Sequence, residues 1–226
     1  MKNFLPQESP SIGTQLHRLL RTAIIEGELL PGQTISEIEM SKRFSISRQP
    51  VREAFIKLAE ERLVEVRPQR GTFVKKISIK EVLDARHLRE IIEVSIIKEV
   101  AQKHDPLLIK QLRALIERQK ETDPKDARKF LELDEEMHKV IAMHAGREYA
   151  WRITEGIKAQ MNRVRFLSYD FTSTRTQLAA EHSAIVDAIE AGDGKLAAKR
   201  MENHLRGILK TLPLVASQYP DYFSDI

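Results

Sequence analysis

The chain has 226 residues, 42% of them hydrophobic, 37 Lys+Arg against 33 Asp+Glu, and no cysteine. That supply of apolar side chains suits one large domain or two smaller ones and excludes a disordered chain, while the missing cysteines exclude disulfides and thiolate metal sites. No run approaches the roughly 20 apolar residues a spanning helix needs, and the start MKNFLPQESP lacks the apolar stretch of a signal peptide, so a cytoplasmic protein without membrane association is expected.

The net charge of +4 is unevenly spread: up to residue 76 there are thirteen Lys+Arg against nine Asp+Glu, and after it twenty-four against twenty-four. A basic first third joined to a neutral remainder is the charge footprint of a nucleic-acid-binding module with a partner domain. Ile12, Leu16, Leu19, Leu20, Ala23 and Ile24 recur at the spacing of one helix face, ended by Gly27 and Pro31-Gly32. Ser36 and Ser47 are N-caps for two short helices, the second with Val51, Ala54, Phe55 and Leu58 turned inward. Residues 63–74 alternate apolar and polar around Pro68 and Gly71, which reads as a β-hairpin. Three helices and a hairpin make a winged helix-turn-helix over residues 9–76.

From residue 78 the pattern is helical throughout. Ser78 with Glu81, Asp105-Pro106, Asp123-Pro124, Gly146 and the Gly192-Asp193-Gly194 break punctuate helices predicted at 79–103, 106–121, 124–145, 147–170, 174–191 and 194–211. Six helices with short connections imply an antiparallel bundle over 77–212, with 213–226 as a C-terminal tail. The fold class is mainly α.

In the second short helix Gln49, Arg52 and Ile56 face outward and Arg48 stands at the N-terminal end. Arg there can pair bidentately with guanine and Gln with adenine, while free backbone N–H groups favour a phosphate. The hairpin tip offers Arg67, Gln69 and Arg70 beside Gly71, a wing suited to the minor groove or its phosphates. The stretch GELLPGQTISEIEMSKRFSISRQPVREAFIKLAEERLVEVRPQRGTFV resembles the winged helix of the GntR family of bacterial regulators, with its G-x-L-x-P-G turn, S-R-x-P-V-R-E-A helix and P-x-R-G wing. The resemblance implies contacts to double-stranded DNA at Ser47, Arg48, Gln49 and Arg52 on the helix and at Arg70 and Gly71 in the wing. Ile38 stands where some members carry a basic residue, so no contact is carried over there.

In the bundle, Asp134 and His138 are i and i+4 at the edge of the stripe Phe130, Leu133, Met137, Ile141. His182 sits between Leu178 and Ile185, and His204 shares a stripe with Met201, Leu205 and Ile208. A lone His on an apolar stripe is usually a hydrogen-bonded core residue, but three with an Asp on separate helices suit a divalent cation. Through Arg89-Glu90-Ile91-Ile92-Glu93, Leu133-Asp134-Glu135-Glu136-Met137-His138, Glu181-His182 and His204, residues 79–210 resemble the FCD ligand-binding domain of FadR-like GntR regulators; Met137 departs from the Phe common there. The resemblance implies a metal held by Asp134, His138, His182 and His204, zinc foremost and nickel, manganese or iron as alternatives. Arg89 and Arg165 are the candidate guanidiniums for a small carboxylate effector beside it, with salt bridges to Glu93 and Asp170 as the ordinary alternative. The segments SRQPVREAFIKLAE and FLELDEEMH are similar to a sugar-acid-related family member. His17, His87, His104 and His144 read as structural or exposed.

The expectation is a regulator, a repressor by the family's habit, binding a palindromic operator as a homodimer and responding to a small carboxylate, possibly a sugar acid. Three competing readings remain: the metal as the signal, a metal-dependent enzyme, and a purely structural ion. No general base accompanies the cluster, which weighs against the enzyme.

Overall fold

A computed structural model describes residues 10–169 and 174–224, and the chain divides into two compact units between Lys76 and Ile77. The first unit holds α1 (Ile12–Ile25), β1 (Thr34–Ile35), α2 (Glu37–Phe44), α3 (Arg48–Glu60), β2 (Val64–Arg67) and β3 (Gly71–Val74). Ser11 caps α1 by accepting from the Thr14 backbone N–H, and the helix lays Leu16, Leu20 and Ile24 against Ala54, Phe55 and Leu58 of α3 in one buried core. Each such fully buried aliphatic or aromatic side chain contributes about 1.5–3 kcal/mol. Gly13 lets α1 approach α3: a Cβ there would stand 2.8 Å from Glu53 Oε2 and 3.3 Å from the Pro50 carbonyl.

The wing is three-stranded, in the order β1-β3-β2 with both pairings antiparallel. Strand β1 was not anticipated, because two residues are too short to show alternation. At the tip, Arg70 N–H bonds the Arg67 carbonyl at 3.0 Å, with Pro68 next and Gln69 at φ 59°. That is the signature of a type II turn, and it presents Gln69 and Arg70 to solvent. Gly71 follows at φ 107°, where a side chain would be strained.

The second unit contains α4 (Ile79–Lys103), α5 (Pro106–Lys120), α6 (Ala127–His144), α7 (Glu148–Ile157), α8 (Ala159–Ser168), α9 (Thr174–Glu190), α10 (Gly194–Leu205) and α11 (Ile208–Gln218), then a 3-10 turn, Pro220–Tyr222. Two predicted helices are therefore each a pair. The 147–170 helix breaks at Lys158, whose side chain is drawn into the bundle to pair with Glu135. The 194–211 helix breaks at Arg206-Gly207, and α11 runs on to Gln218. Helix α6 starts at Ala127 rather than 124, because Asp126 supplies the cap, accepting from the Lys129 N–H at 2.8 Å.

The segment after 212 does not stand apart where it is described. Val215 and Phe223 are buried with Ile77, Val82 and Met161, and Ile77 pairs with Phe223 as an isolated parallel bridge. The main core lies among α4, α5, α6, α9 and α10, around residues such as Ile97, Leu112, Met137 and Ile185. Among the described residues no helix is long and apolar enough to cross a membrane.

Candidate metal centre and nucleic-acid interface

The four residues singled out in the bundle come together. Asp134 and His138 on α6, His182 on α9 and His204 on α10 are all buried and offer ligand atoms within 4.8 Å of one another. Each imidazole has an oxygen behind its Nδ1, in hydrogen-bond geometry for His182 and His204 and at ion-pair distance only for His138. His182 Nδ1 lies 2.8 Å from Gln119 Oε1 on α5, His204 Nδ1 3.0 Å from Glu181 Oε2 on α9, and His138 Nδ1 2.6 Å from Glu93 Oε2 on α4. A carbonyl or carboxylate oxygen only accepts, so Nδ1 carries the proton and the neutral ring turns an unprotonated Nε2 inward.

Three such lone pairs converge, His182 to His204 at 3.3 Å and His204 to His138 at 3.3 Å. Asp134 Oδ1 adds a fourth, 3.5 Å from His182 Nε2, buried and without a hydrogen-bond partner. Four acceptors facing one another have nothing to donate between them. Ligands about 2.1 Å from a tetrahedral ion stand roughly 3.4 Å apart, so the spacing and the donor set both fit a divalent cation. Burial pushes His182 and His204 below the usual histidine range, with neighbouring imidazoles adding to the effect, and this keeps them neutral. Burial alone would raise Asp134, but Arg165 and the imidazoles outweigh it and hold the carboxyl well below its ordinary value.

The two candidate guanidiniums are already engaged. Arg89 bonds Glu93 at 2.7 Å, the ordinary pairing considered from sequence. Arg165 bonds Asp134 Oδ2 and, at 2.6 Å, Glu135; Asp170 lies outside the described residues. Each guanidinium has five donors, and both line a cavity of about 120 Å3 together with His204, Tyr169 and Glu181.

Beside the cluster, Lys158 is 1% exposed, lies over the Trp151 ring at 3.9 Å and ion-pairs with Glu135. Burial alone would raise Glu135, yet Lys158 and then Arg165 carry its carboxyl down to about 2. A carboxyl whose folded value is depressed stabilises the fold above its unfolded pKa of about 4.3, and that stability drains away as pH falls through the folded value. Urea midpoints of the second unit should therefore fall between about pH 5 and pH 2, and Glu135→Gln should flatten that slope while lowering the midpoint at pH 7.

In the first unit, Ser47 is the N-cap residue of α3, and Arg48, Gln49 and Arg52 are exposed on that helix, as are Arg70 and Gly71 in the wing. Gln49 bonds Glu53 at 3.1 Å. Glu37, in the first turn of α2, was missed from sequence: it accepts from Arg48 Nη2 at 3.1 Å and from Arg52 Nε and Nη2 at 3.3 Å each. Arg52 chiefly, against some burial and aided by Arg48, holds the Glu37 carboxyl below its usual range. One carboxylate thus keeps two guanidiniums side by side, each with further N–H donors beyond these bonds. Glu37→Gln should leave binding to unrelated DNA unchanged or tighter, since a negative charge is lost, and narrow the specific-to-nonspecific ratio by about tenfold. Anisotropy titrations on both DNAs read that ratio. Ile38, beside it, presents an apolar side chain that is 51% exposed.

The sequence matches the family model "Bacterial regulatory proteins, gntR family" over residues 13–74 and the FCD domain over 84–207. It is 35% identical over 215 residues to the HTH-type transcriptional repressor RspR of Escherichia coli K12, covering 95% of this chain and 94% of that one. It is 28% identical over 159 residues to a gluconate operon transcriptional repressor of Bacillus licheniformis, covering 70% and 65% respectively. Among solved structures, E. coli McbR/YncC shares the fold at a TM-score of 0.75 and 15% identity, covering 93% of this chain and all of that one.

Proposed function

Because the chain belongs to the GntR family of bacterial regulators and carries an FCD domain behind its winged helix, we propose that it represses transcription by holding a palindromic operator as a homodimer and releases it when a small carboxylate binds at a metal in the bundle. The family and its relatives are transcription regulators and not enzymes. Repression is supported by the names of the relatives, and a regulator of chromosomal DNA would work in the cytoplasm.

The observation that carries the sensing half is the convergence of three unprotonated Nε2 atoms and the orphaned Asp134 Oδ1 beside a cavity lined by two arginines. Asp134, His138, His182 and His204 would hold the cation, zinc foremost with nickel, manganese or iron as alternatives. Bound there, it would supply positive charge for an anionic ligand. Arg165 and Arg89 would orient the carboxylate, and Glu93, Gln119 and Glu181 keep the imidazoles aimed. A water takes about 30 Å3 of the liquid, so the cavity of about 120 Å3 has room for about four such groups, the size of a small carboxylate. The gluconate repressor among the relatives supports that class.

Base reading would rest on Arg48, Gln49 and Arg52, with Ser47 at the helix start and Arg70 and Gly71 in the wing meeting phosphates or the minor groove. Ligand and DNA would be reciprocally coupled through the dimer. The test is elemental analysis of the purified chain, paired with a thermal-shift screen of small carboxylates on the wild type and on His182→Ala. One divalent metal per chain, with stabilisation in the first protein and none in the second, is expected. A metal-free chain, or equal stabilisation of both, would overturn the site.

A further inference from the structure

A second cavity, of about 760 Å3, opens between α5, the start of α6 and α9, sharing with the metal-side cavity only the Tyr169 wall. Gln119, 2% exposed, is part of its lining. The Oε1 of that amide is taken by His182, but its buried Nε2 has no hydrogen-bond partner among the described residues. A buried donor without a partner is destabilising, so a group that accepts from it has a free-energy reason to be there.

The walls favour a flat apolar body. Phe130 and Tyr169 meet edge to face at 5.3 Å between centroids, and the opposite side, on α9, is built from small residues such as Ala179 and Ala184. The rim favours an anion: it carries Lys125, Arg175 and Lys120, the last bonded to Glu117 at 2.8 Å, while the one acid among its described lining residues, Asp187, is bonded to Arg113 at 2.7 Å. Arg175 spends its donors on the Asp123, Pro124 and Tyr169 backbone carbonyls and pairs with no carboxylate among the described residues. A volume of this size lies within the usual range of ligand pockets, about 300–1,000 Å3.

We propose that this cavity is a second ligand site, taking a small anionic aromatic molecule whose inner oxygen accepts from Gln119 Nε2 and whose charge lies on the basic rim. Because the other end of the same amide fixes the His182 ring, an occupant would also alter cation affinity at the cluster, and cation its affinity in turn. The site stands on its own geometry; only the coupling rests on the metal reading.

The full chain is titrated with the fluorescent anion dansylglycine, whose sulfonyl oxygens are separate from its carboxylate, and with the uncharged dansylamide. One saturable site for the anion, at least fivefold tighter than the neutral dye, is expected. Ala184→Trp, which fills this cavity, should abolish it, and Met161→Trp, which fills the metal-side cavity, should not. The double variant Lys120→Glu, Lys125→Glu touches only exposed side chains and decides the matter should Ala184→Trp fail to fold: about tenfold weaker anion binding with neutral-dye binding unchanged is expected. Equal affinity for both dyes, anion binding that survives the lysine reversals, or loss with Met161→Trp in place of Ala184→Trp would overturn the site. Saturating anion should shift the midpoint of a zinc titration, and an unmoved midpoint would overturn the coupling. A chain that takes up no zinc would sink the metal reading and leave the dye results to decide the cavity.

Discussion

Asp134→Ala should lower the melting temperature of the second unit by about 6–12 °C and make it indifferent to chelator. Removing one partner of a buried ion pair costs roughly 3–5 kcal/mol; here Glu135 still engages Arg165, which argues for the lower end, and each kcal/mol moves a domain of this size by about 2–4 °C. The wild type, if it holds the proposed cation, should by contrast lose stability when that cation is stripped, because a ligand that binds only the folded state stabilises it by mass action. Differential scanning calorimetry with and without a chelator separates the two effects. A variant that melts early yet still responds to chelator would leave the ion elsewhere. If Asp134→Ala only lowers the melting temperature while the carboxylate response survives, the cation is structural and the sensing role fails.

The second large effect lies in the DNA-reading unit. Arg48→Ala and Arg52→Ala each remove a guanidinium positioned by Glu37 at the open end of α3. A bidentate arginine–guanine pair is worth about 1–3 kcal/mol, and the proposed two-fold dimer would present each arginine twice, so each substitution should weaken operator binding roughly thirtyfold or more. Arg70→Ala, at the wing tip, should instead weaken specific and unrelated DNA alike and reduce the salt dependence. Titrations at two or more salt concentrations on an operator selected from random DNA read both signatures. Binding insensitive to salt and to both helix substitutions would end the DNA-reading assignment.

The parts legible in the sequence are those whose cause is local. Ser36, Ser47 and Ser78 stand at helix starts, although of the three only Ser78 accepts a cap bond, Pro68 and Gly71 shape the wing tip, and Asp134 with His138 share a helix face by spacing alone. What escaped depends on long-range partners. Gln119 meets His182 across 63 residues and Glu93 meets His138 from another helix, so no periodicity points to either. Glu37 escaped because an acid in the first turn of a helix is ordinary and its two arginines lie on the next helix. The break at Lys158 escaped because apolar spacing continues through it. Gly156 was a weak cue, and the buried ion pair with Glu135 that draws Lys158 inward could not be read before the fold was known. Strand β1 is simply too short to announce itself.

The most direct measurement is operator affinity of the metal-loaded full chain, wild type and His182→Ala, with and without a stabilising carboxylate such as a sugar acid. The wild type should bind tightly and let go as the carboxylate saturates, while His182→Ala should bind as tightly and fail to let go. Release of both proteins by the same carboxylate concentration would contradict a bundle that governs the winged helix through its metal centre.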